Sequence, residues 1–168
     1  MGSTSSSANY PLPAMRRLRV YAFDPQASVS LSTAVINDAV IELPLEKRWE
    51  TPLSKGPANE YVEVIDVDPA SGLFYEPVNL NDPRLLAQDG LAPSEGRPQF
   101  HQQMVFAVAM RTIRAFERAL GRPVLWAHDK GLKRNVIQGV ATEVELNFTR
   151  TLRIYPHAIR ERNAYYSP

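Results

Sequence analysis

Apolar and polar residues alternate at several places along the chain, and each place predicts an element. In Arg16 to Phe23, Leu18, Val20 and Ala22 alternate with Arg17, Arg19 and Tyr21, the period-two pattern of a strand with one buried face. Asp24-Pro25 ends it in a turn. Ala34 to Leu43 is a second apolar segment, with Asn37-Asp38 in its middle offering a hairpin turn between two very short strands and Pro44 closing it. Residues 44–59, with Pro44, Pro52, Gly56 and Pro57, read as a loop. Tyr61 to Val67 is the clearest strand: Val62, Val64 and Asp66 share one face, Tyr61, Glu63, Ile65 and Val67 the other. Neither face is cleanly apolar, which suits a strand covered on both sides. Asp68 to Gly72 is a turn, and Leu73 to Val78 returns as a strand, making a hairpin.

Residues 79–98 are again loop-like, with room for a short helix around Arg84 to Gln88. One long helix follows, from about Gln99 to Leu120, with Phe100, Met104, Ala107, Val108, Ala115 and Leu120 at helical spacings. Its middle, Met104 to Met110, is apolar nearly all round and is expected to be central. Arg111, Arg114 and Arg118 suit the negative end of the helix dipole, and Gly121 with Pro123 is the expected stop. Val124 to Ala127, Val140 to Phe148 and Leu152 to Tyr155 read as strands. Strands, one long helix, then strands again predict an α+β fold: a mainly antiparallel sheet packed on the helix at about 99–120.

Composition bounds what this fold can be used for. With 168 residues and 44% hydrophobic content, the chain can hold one core. Residues 1–14, rich in Ser and Pro, read as a disordered tail, and residues 15–168 as a single domain. Met-Gly-x-x-x-Ser fits a myristoylation pattern through Gly2 and Ser6, but a flexible tail is the simpler reading. No run of about 18 apolar residues exists, so no membrane span is expected. There is no cysteine, hence no thiol nucleophile and no thiolate metal site. With no secretory signal either, the expected location is the cytoplasm.

Charge is uneven. Residues 1–110 hold 8 basic against 13 acidic side chains, and residues 111–168 hold 11 against 5. The arginines of the basic third are spread over a helix and several strands rather than clustered, so they read as solvated and nucleic-acid binding is not expected.

Candidate chemistry is sparse. There is no His-Glu-x-x-His, no Gly-x-Ser-x-Gly, no phosphate loop and no dinucleotide glycine fingerprint. The only histidines are His101, His128 and His157. His101, near the start of the long helix, has Val105 four residues on rather than a second ligand, and reads as a capping or packing residue. His128 lies in a turn; His157, after Pro156, fits either role. Their separation over different elements argues against a joint zinc site. Asp66 and Asp68 satisfy two positions of a calcium loop, but Pro69 and Ala70 interrupt it, so the segment is read as a turn. Glu143 and Glu145 share a strand face and read as surface.

The most informative stretch is Tyr155 to Pro168. Asn163-Ala164-Tyr165-Tyr166 resembles the Asn-Ala-aromatic-aromatic segment of thermolysin-like zinc metallopeptidases, the gluzincins. The order upstream is similar too: a long helix beginning near a histidine, then strands, then the Asn-Ala motif. The ending RERNAYYSP is similar to a group of bacterial gluzincin-like proteins. The resemblance covers about residues 94–168. It implies a fold like the thermolysin N-terminal domain, with Asn163, Ala164, Tyr165 and Tyr166 as substrate-binding residues on an edge strand lining the cleft. The Asn side chain and the Ala carbonyl would hold substrate backbone.

The zinc-binding helix of that family has no counterpart up to Pro168, and Tyr166 stands where thermolysin-like enzymes carry Trp. The resemblance therefore implies the N-terminal, non-catalytic part of a longer hydrolase. Its expected partners are a peptide or protein substrate and its own catalytic domain, with zinc in the complete protein and no catalytic or metal-ligating residue in this chain. The alternative is a stand-alone protein-interaction or regulatory module, such as a propeptide.

Overall fold

A computed structural model of the chain describes residues 13–30, 33, 35–46, 52–126, 136–137, 140–141, 151–159 and 164. Strand β1, Met15–Tyr21, pairs antiparallel with β2, Asp38–Pro44, placing Leu18 opposite Ile41 and Arg16 opposite Leu43. The alternation in β1 has its predicted outcome: Leu18 and Val20 are buried, and with Ile41 and Leu43 they form one apolar face. Ala22 lies past the strand end and is exposed.

Asn37 departs from expectation. Instead of sitting at an exposed hairpin tip between two short strands, it is fully buried in a turn at residues 35–37, and β2 begins at the next residue. Its Oδ1 accepts from the Phe23 amide at 2.7 Å, and its Nδ2 donates to the Asp24 carbonyl and the Ser28 hydroxyl. The side chain thereby ties the single-turn 3-10 helix Pro25–Ser28 to the start of β2.

Strand β3, Val62–Val64, is shorter than predicted but keeps the predicted parity, since Val62, Val64 and Asp66 are all buried. The hairpin after it reduces to a bridge between Val67 and Phe74. Its turn is built as expected: the Asp68 carboxylate accepts from the amides of Ala70 and Ser71 and from the Ser71 hydroxyl, and Gly72 takes a φ of 70°. These bonds, the hydroxyl's first, hold the Asp68 pKa below its ordinary value. The carboxylate thus serves its own turn.

A short helix α1, Pro83–Ala87, leads to the long helix α2, Pro98–Leu120. Gly121 caps α2 at φ 66°, its N–H donating to the Glu117 carbonyl at 2.8 Å. Phe100, Gln103, Phe106, Ala107, Met110 and Ile113 are buried and form one stripe of α2, which packs on β1, β2 and β3. Each large apolar side chain so buried contributes about 1.5–3 kcal/mol. Val108, 44% exposed, corrects the expectation that the helix middle is covered all round. One face of α2 meets the sheets and the other faces out.

After α2, residues 124–126 form no strand; instead Trp126 donates from Nε1 to the Tyr61 carbonyl at 3.2 Å. Two short strands, β4 (Val136–Ile137) and β5 (Val140–Ala141), pair antiparallel; the rest of the strand predicted to Phe148, with Glu143 and Glu145, lies outside the described residues. The last strand, β6 (Leu152–Ile154), pairs parallel with β3, placing Val62 opposite Leu152 and Val64 opposite Ile154. The fold is α+β, with an antiparallel pair packed on one long helix; the parallel β3–β6 pair is the exception to a mainly antiparallel arrangement. Among the described residues no helix is long and apolar enough to cross a membrane.

Candidate functional site

The parallel pairing of β3 and β6 sets two polar side chains side by side just beyond both strands. The Ile65 amide donates to the Ile154 carbonyl at 2.9 Å, which carries the alignment one residue past β3. Asp66 follows on the β3 side, and a turn at residues 155–158 carries His157 on the β6 side. His157 Nδ1 lies 2.6 Å from Asp66 Oδ1. The opposite ring nitrogen, Nε2, lies 2.8 Å from Nδ1 of His101, in the first turn of α2. A carboxylate and two imidazoles thus form a continuous hydrogen-bonded row from three separate parts of the chain.

Neighbouring groups fix the row in place. The Asp66 side chain is 1% exposed, and its second oxygen, Oδ2, accepts from Gln102 Nε2 at 3.1 Å. The edge of the Tyr75 ring meets the His157 ring, with centroids 5.5 Å apart and planes at 65°. The His101 and His157 rings have centroids 5.0 Å apart. The backbone carbonyls of Ser94 and Glu95 approach His101 from the loop before α2. Burial pushes the His101 pKa down, and the neighbouring His157 pushes it further; the Ser94 and Glu95 carbonyls and Asp66 oppose them. Burial also raises the Tyr75 hydroxyl, with the charges of Asp68 and Asp66 adding to it.

A carboxylate on one imidazole nitrogen orients the ring and selects its tautomer. The set can therefore bind and hand on a proton. Among the described residues the partners of the two rings are a carboxylate, each other and backbone carbonyls, an acid–base and anchoring set rather than an activated nucleophile.

The sequence reading kept the histidines apart, and the structure corrects it: His101 and His157, 56 residues apart, are hydrogen-bonded. One signal was present, because Asp66 shares the parity of the buried Val62 and Val64 and so needs a polar partner inside. His128 lies outside the described residues. So do Asn163, Tyr165 and Tyr166; of the four expected substrate-binding residues Ala164 alone is described, and it is exposed. Among the described residues no three His, Cys, Asp or Glu side chains are grouped to hold a metal ion. An open groove of about 520 Å³ runs between the β1–β2 ribbon and the outer side of α2, lined by Val20, Ile41, Val108 and Phe116 among others, and does not include the histidines.

Comparison of the chain with family models, curated proteins and solved structures gave no match.

Proposed function

We propose that this chain is the non-catalytic N-terminal part of a zinc-metallopeptidase-like protein and forms one wall of its peptide-binding cleft. The reading rests on the order of a long helix with a histidine in its first turn, strands after it, and then Asn163-Ala164-Tyr165-Tyr166. The observation that carries it is the exposure of Ala164 ten residues beyond the end of β6. On its far side β6 pairs with no described strand. An open strand edge is what an extended peptide needs in order to add as a further strand. An asparagine side chain offers a donor and an acceptor and so grips one peptide unit at two points, while alanine lets that backbone approach closely. Tyr165 and Tyr166 would shape the walls beside it.

Zinc in the complete protein would supply a water activated for attack on a peptide carbonyl. The share proposed for this chain is to bind and align the peptide.

The test is a nuclear magnetic resonance titration of the 168-residue chain with extended hexapeptides, in the presence of a chelator. The expected result is weak binding, with a Kd of about 1 mM, because only half of a cleft is present. Shifts should centre on residues 163–166 and vanish in Asn163→Ala. No shift at saturating peptide would overturn the reading, as would peptide hydrolysis that survives the chelator. Shifts confined to the β1–β2 ribbon would replace it with a stand-alone interaction module.

A further inference from the structure

The inner nitrogens of the histidine pair face each other, and the outer nitrogen of His157 is already committed. His157 Nδ1 meets the Asp66 carboxylate at 2.6 Å, and a carboxylate only accepts, so this nitrogen carries a hydrogen. His101 turns Nδ1 to the other nitrogen of that ring, Nε2. One hydrogen is thereby assigned to the outside of the pair. The 2.8 Å gap inside needs one more, since two bare lone pairs at that distance repel. Two hydrogens on four nitrogens satisfy both contacts with neutral rings beside the buried Asp66, and a third fits on His101 Nε2 without disturbing either contact. A fourth sets donor against donor and puts two imidazolium charges next to one another.

We propose that Asp66, His157 and His101 form an acid-released latch: with one proton between the rings, the turn at residues 155–158 is held on the first turn of α2, and a second proton releases it. The groups facing the pair come from every neighbouring element. Asp66 follows β3, Gln102 lies on α2, and Ser94 and Glu95 present carbonyls from the preceding loop. Tyr75 stands edge-on, with Asp68 behind it. Among the described residues only Asp66 offers a full charge that offsets a second proton, and it is already engaged with His157 and Gln102.

The direction of the pH dependence follows. In the folded chain His101 binds its proton below the ordinary value of 6.5, by burial first and by His157 second. The released chain keeps the ordinary value, so below about pH 6.5 it binds more protons than the latched one, and acid favours release. This inference concerns the docking of the turn and stands whatever residues 160–168 bind.

Hydrogen exchange of the 168-residue chain, corrected for the intrinsic pH dependence of exchange, reads the latch directly. The amides to follow are Leu152, bonded to the Tyr61 carbonyl, and Ile65, bonded to the Ile154 carbonyl. Their protection is expected to fall about tenfold between about pH 7.5 and about pH 5, while amides of β1 and β2 keep theirs. His101→Gln retains a donor for His157 but cannot take the second proton, so its protection should stay flat; His128→Gln should behave as the native chain. Equal protection at both pH values overturns the proposal, as does a fall that survives His101→Gln, one abolished by His128→Gln, or one shared equally by β1 and β2. Should His101→Gln not fold, imidazole ¹⁵N shifts of the native chain decide. Loss of protection as both rings become doubly protonated supports the latch, and loss while either ring keeps a bare nitrogen overturns it.

Discussion

Gln102 clamps Asp66: from one buried position on the long helix its Nε2 donates to the carboxylate Oδ2 at 3.1 Å. The Oε1 of the same amide accepts from the Val78 amide at 2.8 Å. A single neutral side chain thus serves a buried carboxylate and a buried backbone donor, and neither has water to fall back on. Gln102→Leu keeps the approximate volume but strands both partners. The expected loss is about 1–3 kcal/mol for each group left unsatisfied, read as a lower urea midpoint with an unchanged slope. A variant as stable as the native chain would mean that solvent reaches Asp66.

Gly90 and Gly72 separate the cost of backbone strain from the cost of a clash. Both adopt positive φ, 82° and 70°. A β-carbon at Gly72 meets nothing within 4 Å, whereas one at Gly90 comes 2.5 Å from Oε1 of Gln103. That amide is buried and occupied, accepting from the Leu91 amide and donating to the carbonyls of Arg19 and Leu91, so it cannot swing aside freely. Gly72→Ala should cost about 1 kcal/mol, the ordinary penalty of a left-handed alanine. Gly90→Ala should cost clearly more, and the difference in chemical denaturation measures how firmly Gln103 is held.

Arg16 is the largest fully buried side chain among the described residues. Its guanidinium donates to the Leu80 carbonyl, to Asn81 Oδ1 at 2.8 Å and to Glu46 Oε2 at 2.8 Å. It shares the parity of Leu18 and Val20, so it occupies a core position by register and is tolerated there through its partners. Arg16→Met removes the charge and leaves the Leu80 carbonyl and Glu46 without it. The expected destabilisation is about 3–5 kcal/mol, seen as a lowered thermal midpoint. Arg16→Lys should recover only part of this, because one ammonium cannot match a planar fork aimed at three acceptors.

Features whose cause is local were legible in the sequence. The stop of α2 at Gly121, the turn held by Asp68 and the alternation of β1 each follow from a few neighbouring residues. Features that depend on a distant partner were not. Asn37 looks like an exposed turn residue until Phe23, Asp24 and Ser28 surround it. Gln102 and Gln103 look like a solvated helix face, yet they carry the bonds that seat α2 on the loops beneath it. Met104 to Met110 looks buried all round because apolar content does not say how many neighbours a helix has; here they lie on one side. The histidine row has the same character, because the β3–β6 pairing that creates it joins residues about ninety apart.

Tyr61 gives the fold an alkaline limit that can be measured without a variant. Its hydroxyl donates to Glu117 Oε1 at 2.7 Å, and the Arg114 guanidinium stands 5.5 Å from its ring centroid. Burial raises its pKa, the Glu117 bond raises it further, Arg114 pulls against both, and the result is about 12. The unfolded tyrosine ionises near 10, so between those values the unfolded chain has lost a proton that the folded chain keeps. The contribution of Tyr61 is therefore complete below pH 10 and lost as pH rises towards 12. Ultraviolet titration should show the Tyr61 step late, near 12 and together with unfolding. In Glu117→Gln the acceptor loses its charge, and the late step should move down towards the ordinary value. If it stays in place, burial alone sets it and the Glu117 bond contributes nothing to the limit.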